Sequence, residues 1–139
     1  MKDITLTSVI HVCKMSELAE SEQQLLKLAI DASEKAYAPY SKFKVGAAVL
    51  LKNGVKVTGS NQENAAYPSG LCAERTAVFS ANAQYPDQPI VALAIAARNA
   101  KGLLNLPITP CGACRQVVLE AEHRFKHPIK ILLFGQENI

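Results

Sequence analysis

The sequence holds no run of about 18 apolar residues, the length a helix needs to cross a bilayer, so no membrane span is expected. It also lacks any stretch of lysine and arginine interleaved with aromatics. With a formal net charge of only +3, a track for a polynucleotide backbone is unsupported. The opening residues MKDITLTSVIHVCKMSELAES contain no continuous apolar core followed by a small-residue cleavage site, so they do not read as a secretory signal and the expected location is cytoplasmic. No internal repeat and no linker divides the 139 residues, a length that suits one domain. Cysteine is scarce, at four residues. In a reducing compartment these are not expected to form disulfides, which shifts attention to metal or redox chemistry.

What is present fits a filled globular core: 49% hydrophobic and 19% charged residues. Residues 1–20 read as an irregular arm with one short strand. From Ser21, the spacing of Leu25, Leu28, Ala29 and Ala32 predicts a helix, with Ser21 and Gln24 as a capping box. Residues 43–51 and 55–61 are β-rich and flank Asn53-Gly54, a strong hairpin signal. A helix over about 72–83, a buried strand over 90–97, a third helix carrying Cys114, Val117, Val118 and Ala121 on one face, and a strand over 129–134 follow. This order predicts a three-layer α/β/α sandwich with a mixed β-sheet, its hairpin antiparallel and its later strands parallel.

Three cysteines fall where two strand-to-helix junctions are expected: Cys72 in CAERTA, and Cys111 and Cys114 in PCGACRQ. Helix N-termini gather at one edge of an open α/β sheet and draw thiols toward thiolate. Three thiolates with an open fourth position for water is the pattern of a catalytic zinc; a structural site closes with four protein ligands. Glu74, two residues beyond Cys72, leaves the helix on a different bearing and is placed to take a proton from such a water and return it. Zinc nucleobase deaminases pair a Cys₃ or His/Cys₂ site with a non-ligating glutamate of this kind. Three thiolates and Zn²⁺ sum to −1, and Arg75, three residues after Cys72, is the expected offset; Arg115 reads as a surface residue.

FKVGAA, NQENAAY, CAERTA and TPCGACRQV, in this order and at these separations, closely resemble the small homotetrameric cytidine deaminases over roughly residues 20–135. The resemblance implies one zinc per chain on Cys72, Cys111 and Cys114, with Glu74 as proton shuttle. The implied reaction converts cytidine or 2′-deoxycytidine to uridine or 2′-deoxyuridine and ammonia, in pyrimidine salvage. It further implies that Asn61 and Glu63 bind the ribose hydroxyls, that Phe43 lines the pyrimidine pocket, and that the backbone of Ala73 reads the base. Tyr67 would stand near a neighbouring subunit's site, in a homotetramer with sites at subunit interfaces. The sequence departs from the family in stopping at FGQENI, where a further strand and a pocket-covering aromatic are usual.

Other readings of the same residues are inert buried thiols, a redox dithiol at PCGAC that leaves CAE unexplained, and a structural zinc knuckle closed by His123 or His127. Cys13 reads as an ordinary thiol. At the level of function, the alternatives are a deaminase of a related aminated nucleoside such as blasticidin S, and a non-catalytic zinc-stabilised binding module.

Overall fold

The computed structural model describes residues 1–139. After a 3-10 turn at Met15–Glu17, helix α1 spans Glu20–Glu34, followed by strands β1 (Lys44–Leu51) and β2 (Lys56–Ser60). Helix α2 (Ala73–Gln84), strands β3 (Ile90–Asn99) and β4 (Gly102–Leu103), helix α3 (Gly112–Phe125) and strand β5 (Lys130–Leu133) complete the chain. Residues 1–14 form no strand, because no sheet edge of the chain pairs with them.

Helix α1 starts two residues earlier than the Ser21 capping box implies, with Ala19 as its N-cap. The Glu22 carboxylate accepts the Ala19 N–H at 3.2 Å, and Glu22 also pairs with Lys130 Nζ at 2.5 Å. Alanine has no side-chain oxygen, so only half of a capping box forms, and the Glu22–Lys130 tie fixes this start against the base of β5. The hairpin forms at its predicted turn. Gly54 takes φ +87°, and Asn53 Oδ1 accepts the Val55 N–H at 3.1 Å.

The five strands make one mixed sheet in the order β2-β1-β3-β4, with β5 beside β3. β1 is antiparallel to both β2 and β3, while β5 runs parallel to β3, pairing Ala92–Ile95 with Lys130–Leu133. Alternation sorts the side chains into two cores. Val45, Ala47, Val49 and Leu51 of β1, with Leu93, Ile95 and Ala97 of β3, meet Ala73, Ala77, Val78 and Ala81 of α2 and Ala121 of α3. On the opposite face Ala48, Ala92, Ala94, Ala96 and Leu132 receive Leu25, Leu26 and Ala29 of α1. The layers are therefore α1, sheet, and α2 with α3.

Small residues set the spacing of these layers. A Cβ on Gly46 would stand 2.1 Å from the Ala29 carbonyl oxygen and 2.3 Å from Ser33 N, so α1 rests directly on the strand backbone there. On the other face a Cβ on Gly59 would stand 2.4 Å from Ala77 N and 2.7 Å from the Ala73 carbonyl oxygen. That contact presses the first turn of α2 onto β2, and the position of Cys72 follows from it.

Gly46→Ala is expected to lower stability by about 1–3 kcal/mol, the usual cost of overpacking against rigid backbone, read as a shift of the urea unfolding midpoint. A midpoint within experimental error of the parent chain would show that α1 can lift off the sheet without cost.

Candidate active site

Cys72 is the N-cap of α2 and Cys111 the N-cap of α3, both with extended backbone. Neither sulfur caps its own helix, which leaves both free to face across the junction. Cys114 lies in the first turn of α3 and is fully buried. The Cys72 and Cys111 Sγ atoms are 3.8 Å apart and those of Cys111 and Cys114 3.5 Å apart. All three sulfurs lie within 4.8 Å of one another.

This donor set fits zinc. With Zn–S bonds of about 2.3 Å, the edge of a tetrahedron is about 3.8 Å, close to the two measured separations. The cluster contains the three cysteines and no histidine. His123 is exposed, and His127 Nδ1 lies 2.7 Å from the Pro128 carbonyl oxygen, so neither closes a four-ligand knuckle. Cys13 stands apart from the cluster, with its Sγ 3.9 Å from the Ile139 carbonyl oxygen.

The surroundings pull the sulfurs in opposite directions. The Cys114 N–H, helped by that of Ala113, draws the Cys111 thiol below its ordinary pKa, as a helix N-terminus does. Burial pushes the Cys114 thiol up, and the nearby Glu74 charge adds to the effect. A buried sulfur beside a carboxylate and two other sulfurs is a poor thiolate without a cation, and a divalent metal supplies one. Arg75 contributes further positive charge: its Nη2 donates to Cys72 Sγ at 3.7 Å. This contact raises the guanidinium pKa further, with Cys114 acting in the same sense. The buried Arg75 Nε has no partner within the chain.

Glu74 is 5% exposed, and a carboxylate this buried is rare without a partner or a task. Next to the cluster opens a cavity of about 740 Å³, whose lining includes Tyr40, Asn61, Glu63, Tyr67, Cys72 and Arg75. Two of these residues also hold the cavity wall. Asn61 Oδ1 accepts the Val45 N–H at 2.7 Å and its Nδ2 donates to the Phe43 carbonyl oxygen at 3.0 Å. Glu63 Oε2 accepts the N–H groups of Tyr40 at 2.9 Å and Ser41 at 3.3 Å. One amide hydrogen of Asn61 and the second carboxylate oxygen of Glu63 are left over for a ligand.

Phe43 is not in this lining; its half-buried ring packs against the larger core. Ala73, the first residue of α2, is fully buried. Tyr67 is 92% exposed at the rim. Tyr40 and Ser41 were not singled out from the sequence. Their only signal there is Pro39, which marks a turn without showing that its N–H groups face a carboxylate.

Residues 19–126 match the family described as "Cytidine and deoxycytidylate deaminase zinc-binding region". The chain belongs to this cytidine and deoxycytidylate deaminase family. Among similar proteins, the cytidine deaminase of Halalkalibacterium halodurans is 49% identical over 98 residues, which is 70% of each chain. That of Mycobacterium tuberculosis (strain H37Rv) is 40% identical over 105 residues, 73% of this chain and 74% of the relative. The crystal structure of the Burkholderia pseudomallei cytidine deaminase superposes with a TM-score of 0.70 at 43% identity, over 82% of this chain and 84% of that one. Zinc is the metal of this deaminase family's binding region, and Cys72, Cys111 and Cys114 form the cluster that can hold one ion.

The hydrogen bonds from Ser41 and Tyr40 hold the Glu63 carboxyl below the ordinary carboxylate range. A depressed folded-state pKa stabilises the fold above the unfolded value of about 4.3. The contribution is lost as pH falls through the lower folded value. The amide proton shifts of Tyr40 and Ser41 are expected to titrate together with a midpoint below about 4.3, and this step should vanish in Glu63→Gln. A midpoint at the ordinary carboxylate value would show that the carboxylate does not hold this loop in solution.

Proposed function

We propose that the chain catalyses hydrolytic deamination of cytidine and 2′-deoxycytidine to uridine and 2′-deoxyuridine with release of ammonia. The observation that carries this reading is the buried Glu74 carboxylate, whose charge acts on Cys114, at a cluster of three sulfurs spaced for one zinc, one of which, Cys72, also lines a cavity of about 740 Å³. Zinc held by Cys72, Cys111 and Cys114 supplies Lewis acidity that makes a water reactive at neutral pH. Glu74 takes a proton from the attacking water and delivers it to the ring nitrogen next to the amino carbon. The water oxygen bonds to that carbon, the carbon–nitrogen bond breaks, and the amine leaves as ammonia with a proton passed through Glu74.

The rest of the cavity orients the nucleoside. The free Glu63 oxygen accepts from a sugar hydroxyl, and the remaining Asn61 N–H donates to one. A site built to bond a hydroxyl discriminates by about 10⁴-fold or more against an analogue lacking it. The Ala73 backbone reads the base edge at the start of α2. Phe43 acts from below, keeping the pocket floor in place through its packing, and Arg75 balances the thiolate charge. Blasticidin-type deamination and a non-catalytic zinc module are the less supported readings, since the relatives named above are cytidine deaminases.

The same reading makes the enzyme a cytoplasmic homotetramer of pyrimidine salvage, with sites at subunit interfaces and no nucleic-acid or membrane partner. What supports assembly is the exposure of Tyr67 at the rim and of Phe79 and Leu119 on the outer faces of α2 and α3. No helix of the chain is long and apolar enough to cross a membrane.

Glu74→Gln is expected to keep one zinc per chain while slowing cytidine turnover at least about 10²–10⁴-fold, the range for loss of a general acid–base. Zinc by atomic absorption and ammonia release on one sample check this. Turnover within a few-fold of the parent at full zinc content would remove Glu74 from the mechanism.

A further inference from the structure

Between Tyr37 and β1 the chain makes a sharp turn along the cavity. Lys42 takes φ +56°, the left-handed region that a non-glycine residue enters only where its surroundings hold it there. Two bonds close the turn. The Lys42 N–H donates to the Ala38 carbonyl oxygen at 3.1 Å, and the Phe43 N–H donates to Ser41 Oγ at 3.0 Å. A serine hydroxyl that accepts the N–H two residues on takes the place of a backbone turn bond.

This turn reaches both Asn61 and Glu63. The Ser41 N–H donates to Glu63 Oε2 at 3.3 Å, beside the Tyr40 N–H at 2.9 Å. Phe43, whose N–H is held by Ser41 Oγ, takes the Asn61 Nδ2 hydrogen on its carbonyl at 3.0 Å. Ser41 therefore holds Glu63 through its own N–H and Asn61 through Phe43. Its hydroxyl is also the leading influence that draws the Glu63 carboxyl below the ordinary range. The main chains of the two segments are joined without it: the Tyr37 N–H donates to the Asn61 carbonyl oxygen at 3.0 Å, and the Glu63 N–H to that of Tyr37 at 2.9 Å. What Ser41 adds is the aim of the two side chains.

We propose that Ser41 is a positioning residue for nucleoside binding: its hydroxyl closes the left-handed turn at Lys42, and the closed turn aims the Glu63 carboxylate and the Asn61 amide at the sugar hydroxyls. This rests on the reading of Asn61 and Glu63 as sugar-binding groups. With Glu63 Oε2 occupied by two N–H groups, the other oxygen is the one that meets a ligand. With one Asn61 amide hydrogen on Phe43, the other is the one that donates. Without Ser41 Oγ the Phe43 N–H loses its partner and Lys42 is released from a sparsely populated conformation. Both side chains then regain freedom that binding has to remove. The loss weighs equally on the bound substrate and on the transition state, so it raises KM and leaves kcat in place.

The test compares Ser41→Ala, Ser41→Thr, Glu63→Gln and the Ser41→Ala/Glu63→Gln double variant, each as the zinc-loaded full chain acting on cytidine. Ser41 is exposed and the backbone bonds of Tyr37 remain, so the variants keep the fold. Ser41→Ala is expected to raise KM about three- to tenfold, the range for one hydrogen bond, with kcat within about twofold of the parent. Ser41→Thr, which keeps the hydroxyl, should return KM to the parent value. The double variant should raise KM by less than the product of the two single effects, because Ser41 acts through Glu63. In Ser41→Ala the titration midpoint read at the Tyr40 amide should also move up toward about 4.3. KM raised in Glu63→Gln but not in Ser41→Ala overturns the proposal alone, as does Ser41→Thr behaving like Ser41→Ala, full multiplicativity in the double variant, or an unmoved midpoint. KM unchanged in Glu63→Gln overturns the sugar assignment of Glu63 and this proposal together.

Discussion

Two helices begin at the same edge of the sheet, and the 3.8 Å between the sulfurs of their N-cap residues, Cys72 and Cys111, is the constraint on which the remaining site depends. That distance is set by backbone packing. Gly59 allows the first turn of α2 to touch β2, and Ala121 of α3 shares a core with Ala73, Ala77 and Ala81 of α2. A bulkier residue at any of these contacts would move one N-terminus away from the other. Metal bonds tolerate errors of only about 0.2 Å, so small side chains in the core serve the chemistry as directly as the cysteines do. Glu74 rides on the same helix as Cys72, and its position is fixed by the same contact.

The wall of the cavity follows a second rule: Asn61 and Glu63, which face it, are also used to build it. Asn61 and Glu63 spend part of their hydrogen-bonding capacity on the backbone of residues 40–45. Groups tied in this way have little freedom left to lose when a ligand binds, so less of the binding energy goes into ordering them. Arg75, also in the cavity lining, donates to Cys72 Sγ at 3.7 Å.

The metal cluster was readable in the sequence because its chemistry is local. Cys-x-x-Cys and Cys-x-Glu at helix starts place donors by helical geometry alone, and the hairpin and both later helices announced themselves through Asn53-Gly54 and apolar periodicity. The mixed sheet followed from element order. Less legible were features that depend on long-range pairing. Glu22 displaced Ser21 from the start of α1 by reaching Lys130, 108 residues away. β4, two residues long, carries too little pattern to be seen. Phe43 read as a pocket wall; its half-buried ring packs against the larger core. The arm read as holding a short strand; residues 1–14 form none, and Ser8 and Val9 break the alternation that suggested it.

The central claim is that three sulfurs share one zinc and leave a fourth position open, and X-ray absorption at the zinc edge on the metal-loaded chain tests it most directly. The account predicts three sulfur neighbours at about 2.3 Å and one oxygen or nitrogen neighbour at about 2.0 Å. A shell of four sulfurs, or of fewer than three, would contradict it.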